Sequence, residues 1–235
     1  MTRQPPPLVL LPGMMCDARL FAPQIAYFSG HRAVMVAPLV GHSTIEALAH
    51  SVLDAAPETF ALAGLSMGGI VAMHILDVAP ERVSAVALVD TNPSADTPEK
   101  VRMRDAQIER VSRGQLRSVM RDEMKPNYLA DGPNTGRILD VCMAMAETLG
   151  PTVFESQSRA LQCRRDYRST LRNAETPALL LCGEHDTLCP PGMHEDMHAL
   201  IRSSTLHIVA DAGHLPTLEQ PDATNRLLAR WLADT

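Results

Sequence analysis

A hydroxyl framed by glycines is the first chemistry this chain offers. Gly64-Leu65-Ser66-Met67-Gly68 places two residues without a Cβ evenly about Ser66. Set between a strand and a helix, this spacing holds a serine on a sharp, strained turn with its Oγ exposed. The context is present: Phe60 to Gly64 reads as a strand, and Gly68 to Ala79 as a helix that Pro80 ends. The Met67 N–H then lies at a helix N-terminus, where negative charge developing on an attacked carbonyl is favoured. A serine hydroxyl is a weak nucleophile, so it needs a base, and the base needs a third group to orient it.

The chain has nine histidines. His214 is the candidate base, because Asp211-Ala212-Gly213-His214 follows a strand at Thr205 to Val209 and Gly213 permits a tight turn there. Asp186, in Gly183-Glu184-His185-Asp186, stands just past a strand at Ala178 to Cys182 and is the favoured acid. Loops at the carboxyl ends of parallel strands are where such sheets carry reactive groups. The order Ser66, Asp186, His214 is the one expected for a nucleophile on a strand–turn–helix. Asp90, which ends Val86-Ala87-Leu88-Val89-Asp90, is the rival acid, and Glu184 a weaker one. A second oxyanion donor is needed, and the Met14 N–H in Pro12-Gly13-Met14-Met15 is the candidate partner of Met67 N–H. Met14 and Met15 either line an acyl pocket or pack in the core.

His194-Glu195-Asp196-Met197-His198 matches the zinc-protease pattern H-E-x-x-H. Its only sequence-level third ligand is Glu219, with a strand and the His214 loop in between, so a solvated helix face is the preferred reading. Arg102, Arg104, Arg110, Arg113, Arg117 and Arg121 form a basic series interleaved with Asp105, Glu109, Asp122 and Glu123. Such runs read first as solvated helix faces, and second as a dock for a substrate carboxylate or an acidic carrier protein.

Positioning these groups takes a sheet. Leu8 to Leu11, Val34 to Ala37, Phe60 to Gly64 and Val83 to Val89 read as strands alternating with helices, which implies a mostly parallel central sheet flanked by helices, an α/β fold. Ser43 or Thr44 caps a helix running to about Ala55. From Asn92 to Thr176 no strand is evident. Pro98 to Met120 reads as a helix with Val101, Ile108 and Val111 on one face. Ile138, Val141, Cys142, Met145 and Leu149 form a second stripe, and Gly150-Pro151 breaks it and opens a third helix. The expected organisation is therefore a core of residues 1–91 and 177–235 with an inserted all-helical cap at 92–176.

At 235 residues with 46% hydrophobic content, the chain is long enough for a sizeable core. A net charge of −6 without a basic run argues against nucleic acid and anionic membranes as partners. The apolar stretch after Met1 to Pro7 is too short for a signal peptide, and five scattered cysteines suit reduced thiols, so a cytoplasmic location is expected. Thirteen methionines against 3% aromatics read first as core filling and second as the lining of an adaptable pocket.

Leu8 to Gly13, Gly64 to Gly69, Leu181 to Asp186, and Asp211 to Pro216 with Glu219-Gln220-Pro221 together resemble the α/β-hydrolase superfamily over nearly the whole chain. The small helical-cap branch looks closest: carboxylesterases, the pimeloyl-carrier-protein methyl ester esterase, enol-lactone hydrolases and the menaquinone-pathway lyase. The oxyanion loop departs from the frequent His-Gly-x-Gly. The resemblance implies a cap over Ser66 and a serine hydrolase acting on esters of small to medium substrates, with no metal or cofactor. Lactones, thioesters and C–C bonds are alternative targets of the same three side chains.

Overall fold

The computed structural model describes residues 5–233; residues 1–4 and 234–235, at the outer ends of the expected core segments, lie outside the described residues. Six strands form one sheet: β1 (Leu8–Leu11), β2 (Val34–Val36), β3 (Phe60–Leu65), β4 (Val83–Val89), β5 (Ala178–Gly183) and β6 (Ser204–Val209). Their order is β2-β1-β3-β4-β5-β6, and every neighbouring pair is parallel. Parallel neighbours need crossovers, which helices supply. The helices are α1 (Ala22–Phe28), α2 (Ile45–Ala55), α3 (Met67–Val78), α4 (Pro98–Ser112), α5 (Leu116–Val119), α6 (Thr135–Gln162), α7 (Arg168–Asn173) and α8 (Pro191–Leu200), followed after β6 by α9 (Pro216–Glu219) and α10 (Pro221–Ala233).

Both faces of the sheet are covered, which is why its inner strands read as unbroken apolar runs. Val9, Leu62, Val86 and Leu180 pack in one cluster with Ile45 and Leu48 of α2 and Val71 of α3. Leu8, Ala61, Ala87 and Leu179 point the other way, into a cluster with Phe28, Leu228 and Trp231. Thr44 caps α2 through an Oγ1 that accepts from Ala47 N–H at 3.2 Å.

Between β4 and β5 there is no strand among the described residues. The expected single helix from Pro98 to Met120 is interrupted. Gly114 adopts φ +81, and the N–H groups of Gly114 and Gln115 fold back onto Val111 O and Arg110 O, the double hydrogen bond that closes a helix end. The chain resumes as α5 and passes through a wide turn over Met120–Met124. Gly150, at φ 78 and ψ 179, kinks α6 where Pro151 starts its second half. Helix α4 packs on α6, whereas α7 returns to the core against α3 and α8. Among the described residues all five cysteines are unpaired, and no helix is long and apolar enough to cross a membrane.

Candidate active site

Ser66 joins β3 to α3 with φ 54 and ψ −114, a conformation costly for a residue with a side chain. Its neighbours explain the glycine spacing. A Cβ on Gly64 would lie 2.3 Å from Gly68 O, and one on Gly68 would lie 2.0 Å from Leu11 O. One on Gly69 would meet Thr91 Cγ2 at 2.6 Å. The turn is held from both sides: Ser66 N–H donates to Val89 O at 2.9 Å, and Thr91 Oγ1 donates to Ser66 O at 2.8 Å.

The other two predicted groups meet. His214 Nδ1 lies 2.8 Å from Asp186 Oδ2, and both side chains are buried. Asp186 Oδ1 accepts from Leu188 N–H at 2.8 Å and Cys189 N–H at 3.1 Å. Burial pushes the Asp186 carboxyl up, but the hydrogen bond and charge of His214 with the Cys189 amide outweigh it and hold the group below its ordinary value. With Nδ1 committed to Asp186, Nε2 is left for the cavity that His214 and Ser66 both line. No Ser66–His214 hydrogen bond is formed among the described residues; bonds of this type are often long before substrate binds. Asp90, the rival acid, makes no hydrogen bond to His214 among the described residues: its Oδ1 accepts from Gly183 N–H at 2.9 Å.

Two glycines let the loops after β5 and β6 touch. A Cβ on Gly183 would sit 1.9 Å from Gly213 O, and one on Gly213 would sit 2.7 Å from Ala130 N. Gly213 is therefore needed less for a tight turn than for the approach of the inserted helices. Glu219, weighed from sequence only as a metal ligand, is instead a clamp. Its carboxylate accepts from Gly213 and Leu215 N–H at 2.9 Å each and from Ala130 N–H at 2.8 Å. His214 N–H donates to Tyr128 O at 2.7 Å, which ties the imidazole loop to the same segment.

The loop after β1, which carries Met14, is set by a residue that sequence reasoning missed. Gln157, buried on α6, accepts from Met15 N–H through Oε1 and donates through Nε2 to Leu39 O, both at 2.8 Å. A lone amide in the apolar register of Phe154 and Leu161 was its only sequence signal. Met15 is thereby held at φ 55 and packs in the core. Met14 and Met67 line the cavity, and neither N–H has an acceptor among the described residues.

The cavity measures about 220 Å³, with Met103, Met124, Leu161 and Leu188 on its walls. Five of the six arginines in the basic series pair with nearby acids: Arg102 with Glu99, Arg110 with Glu123, Arg113 with Glu109, Arg117 with Glu147 and Arg121 with Asp122. Arg104 differs, because it lines the cavity and binds buried Asp96 at 2.7 Å. Arg164, absent from the sequence reading, binds the same Asp96 at 3.1 Å.

The H-E-x-x-H segment falls on α8, but its face is not uniformly solvated. His194 is fully buried. Its Nε2 accepts from Thr91 N–H at 3.2 Å, which uses the lone pair a metal would require. Glu195 and His198 are exposed, and the latter's Nδ1 faces Ser204 Oγ at 2.8 Å. His194 is a structural pin beside the elbow, and burial lowers its pKa to about 4. The unfolded chain, with an ordinary imidazole, binds a proton first as pH falls. Stability should therefore decline from pH 6.5 down to about 4, by about 3 kcal/mol in total from this group. Urea unfolding across that window should show the decline, and His194→Gln should flatten the slope; equal slopes would refute the assignment.

The sequence profile of the Alpha/beta hydrolase family matches residues 8–227. The pimeloyl-[acyl-carrier protein] methyl ester esterase of Xanthomonas axonopodis pv. citri is 28% identical over 97% of this chain and 95% of its own length. A thermophilic esterase from Thermogutta terrifontis superposes with a TM-score of 0.88 at 26% identity, covering 97% of this chain and 89% of that one. The enol-lactonase from Burkholderia xenovorans LB400 shares the fold at a TM-score of 0.87 and 23% identity, over 98% of this chain and 91% of its own.

Proposed function

Because the chain belongs to the alpha/beta hydrolase family, we propose that it is a serine hydrolase cleaving carboxylic esters of small to medium substrates through an acyl-enzyme on Ser66. The observation that carries this reading is the buried Asp186–His214 pair beside a cavity that Ser66 also lines. Ser66 Oγ attacks the ester carbonyl as its proton passes to His214 Nε2. Asp186 keeps the other ring nitrogen protonated and balances the imidazolium. Met14 and Met67 N–H groups receive the oxyanion. His214 returns the proton to the departing alkoxide, then takes one from water as it attacks the acyl carbonyl, and delivers that proton to Ser66 Oγ as the acid leaves. No step calls on a metal or organic cofactor.

Residues 92–176 act as the cap that closes this cavity. Unpaired cysteines support a cytoplasmic location. The similarity to a carrier-protein methyl ester esterase raises an acyl chain on a carrier protein as cargo, although the exposed cap arginines are mostly neutralised by their own neighbours. The small volume also suits a compact cyclic ester, so lactone hydrolysis is the second reading, ahead of thioester or C–C cleavage. A fluorophosphonate probe should add one adduct at Ser66 in the intact mass spectrum, and Ser66→Ala should take none. A panel of esters, lactones and thioesters then ranks the substrates. An unlabelled, folded wild-type protein would overturn the serine-hydrolase reading.

A further inference from the structure

Asp90 has no part in the reaction scheme, yet it is buried directly behind it. It follows β4 directly at φ 43, fully buried, with its N–H donating to Leu181 O at 2.9 Å. Its Oδ1 accepts from Gly183 N–H, while its Oδ2 is buried without a partner among the described residues. Polar atoms of Asp90, Cys182 and Asp186 lie within 4.8 Å of one another. The charges that reach Asp90 are negative ones, from Asp186 after β5 and Glu219 of α9. Cys182 offers no cation: its Sγ lies 3.2 Å from Gly183 O and 3.4 Å from Cys189 O. An ionised Asp90 would thus be a second buried carboxylate with no counter-charge, beside one that already serves His214.

Resting on the hydrolase reading, we propose that Asp90 is held as an un-ionised carboxylic acid that donates its hydroxyl hydrogen to the Asp186 carboxylate, making it a positioning residue for the acid of the triad. The proton stays on Asp90 throughout and no bond to substrate is involved. Environment separates the two acids: burial and then the Asp186 charge push Asp90 well above the usual carboxyl range, whereas Asp186 is held below it. Two adjacent acids driven apart in this way divide into a donor and an acceptor. The left-handed backbone at Asp90 is one that Asp and Asn tolerate better than most residues. Asparagine is therefore the informative replacement, since its Oδ1 can accept from Gly183 and its Nδ2 can donate to Asp186.

Asp90→Ala should lower kcat about tenfold or more at little changed KM, and Asp90→Asn should recover activity to within about threefold of wild type. The acid limb of the kcat/KM profile should stay in place in Asp90→Asn, because no charge has been removed. Were Asp90 ionised, losing its charge near His214 would move that limb to lower pH by about one unit, and Asp90→Asn would be as damaged as Asp90→Ala; either result overturns the proposal. Infrared difference spectra at neutral pH should show a protonated-carboxyl stretch in wild type that Asp90→Asn lacks. Its absence would also overturn the proposal. The infrared readout does not depend on Ser66 chemistry. Fluorophosphonate labelling of the same preparation therefore separates failure of this inference from failure of the hydrolase reading.

Discussion

Ser66→Ala should lower hydrolysis of p-nitrophenyl acetate and butyrate by about 10⁴-fold or more. The substitution deletes one oxygen and changes little else. Alanine at φ 54 meets the same backbone strain as serine, since both carry a Cβ. The hydrogen bonds that hold the turn use Ser66 N–H and O rather than Oγ, and both persist. Thermal unfolding should accordingly match wild type, which separates lost chemistry from lost folding. Turnover remaining near wild type would remove Ser66 from the mechanism altogether.

Asp186→Asn should cost about 10⁴-fold in kcat with little change in KM. Asparagine keeps an oxygen for the Leu188 and Cys189 amides, so the loop geometry survives. Its Nδ2 would then face His214 Nδ1, a donor meeting a position that must itself donate. The imidazole is driven to the tautomer with its proton on Nε2, aimed at Ser66, and can no longer accept the serine proton. The loss of negative charge also leaves the imidazolium uncompensated in a buried site. A loss below about tenfold would transfer the role of acid elsewhere. Asp90 is the neighbour with a carboxyl to offer, although its bond to Gly183 speaks against it.

Much of this site was legible in one dimension. The elbow could be read because the glycine spacing is itself local: Gly64 must admit the backbone of Gly68 four positions on, although the demand on Gly68 comes from distant Leu11. The strand end that carries Asp186 was legible for a related reason, since a buried parallel strand such as β5 must be a continuous apolar run and its carboxyl end is marked by the next Gly or Asp; β6, before His214, is a partly exposed edge strand and gave a weaker signal. The choice between Asp186 and Asp90 was less accessible. Both end strands, and only the burial and hydrogen bonding around each tell them apart.

The helical stretch shows the opposite limit. Val101, Ile108 and Val111 suggested one long helix to Met120, but Gly114 stops it through backbone bonds that periodicity does not register. Gln157 looked like a polar residue on an apolar face, and its partners at Met15 and Leu39 lie 142 and 118 positions away. Glu219 likewise binds Ala130 at a separation of 89 positions.

The amino-acid order by itself determined the sheet and the elbow, and it singled out Ser66, His214 and Asp186 as candidates with Asp90 as the rival acid, because apolar period and glycine spacing are local properties of a chain. Tertiary structure decided between the two candidate acids, and it alone decided which buried amide holds the loop after β1 and that Arg104 and Arg164 line the cavity. Those choices depend on burial and on hydrogen bonds between distant segments, and neither exists until the chain has folded.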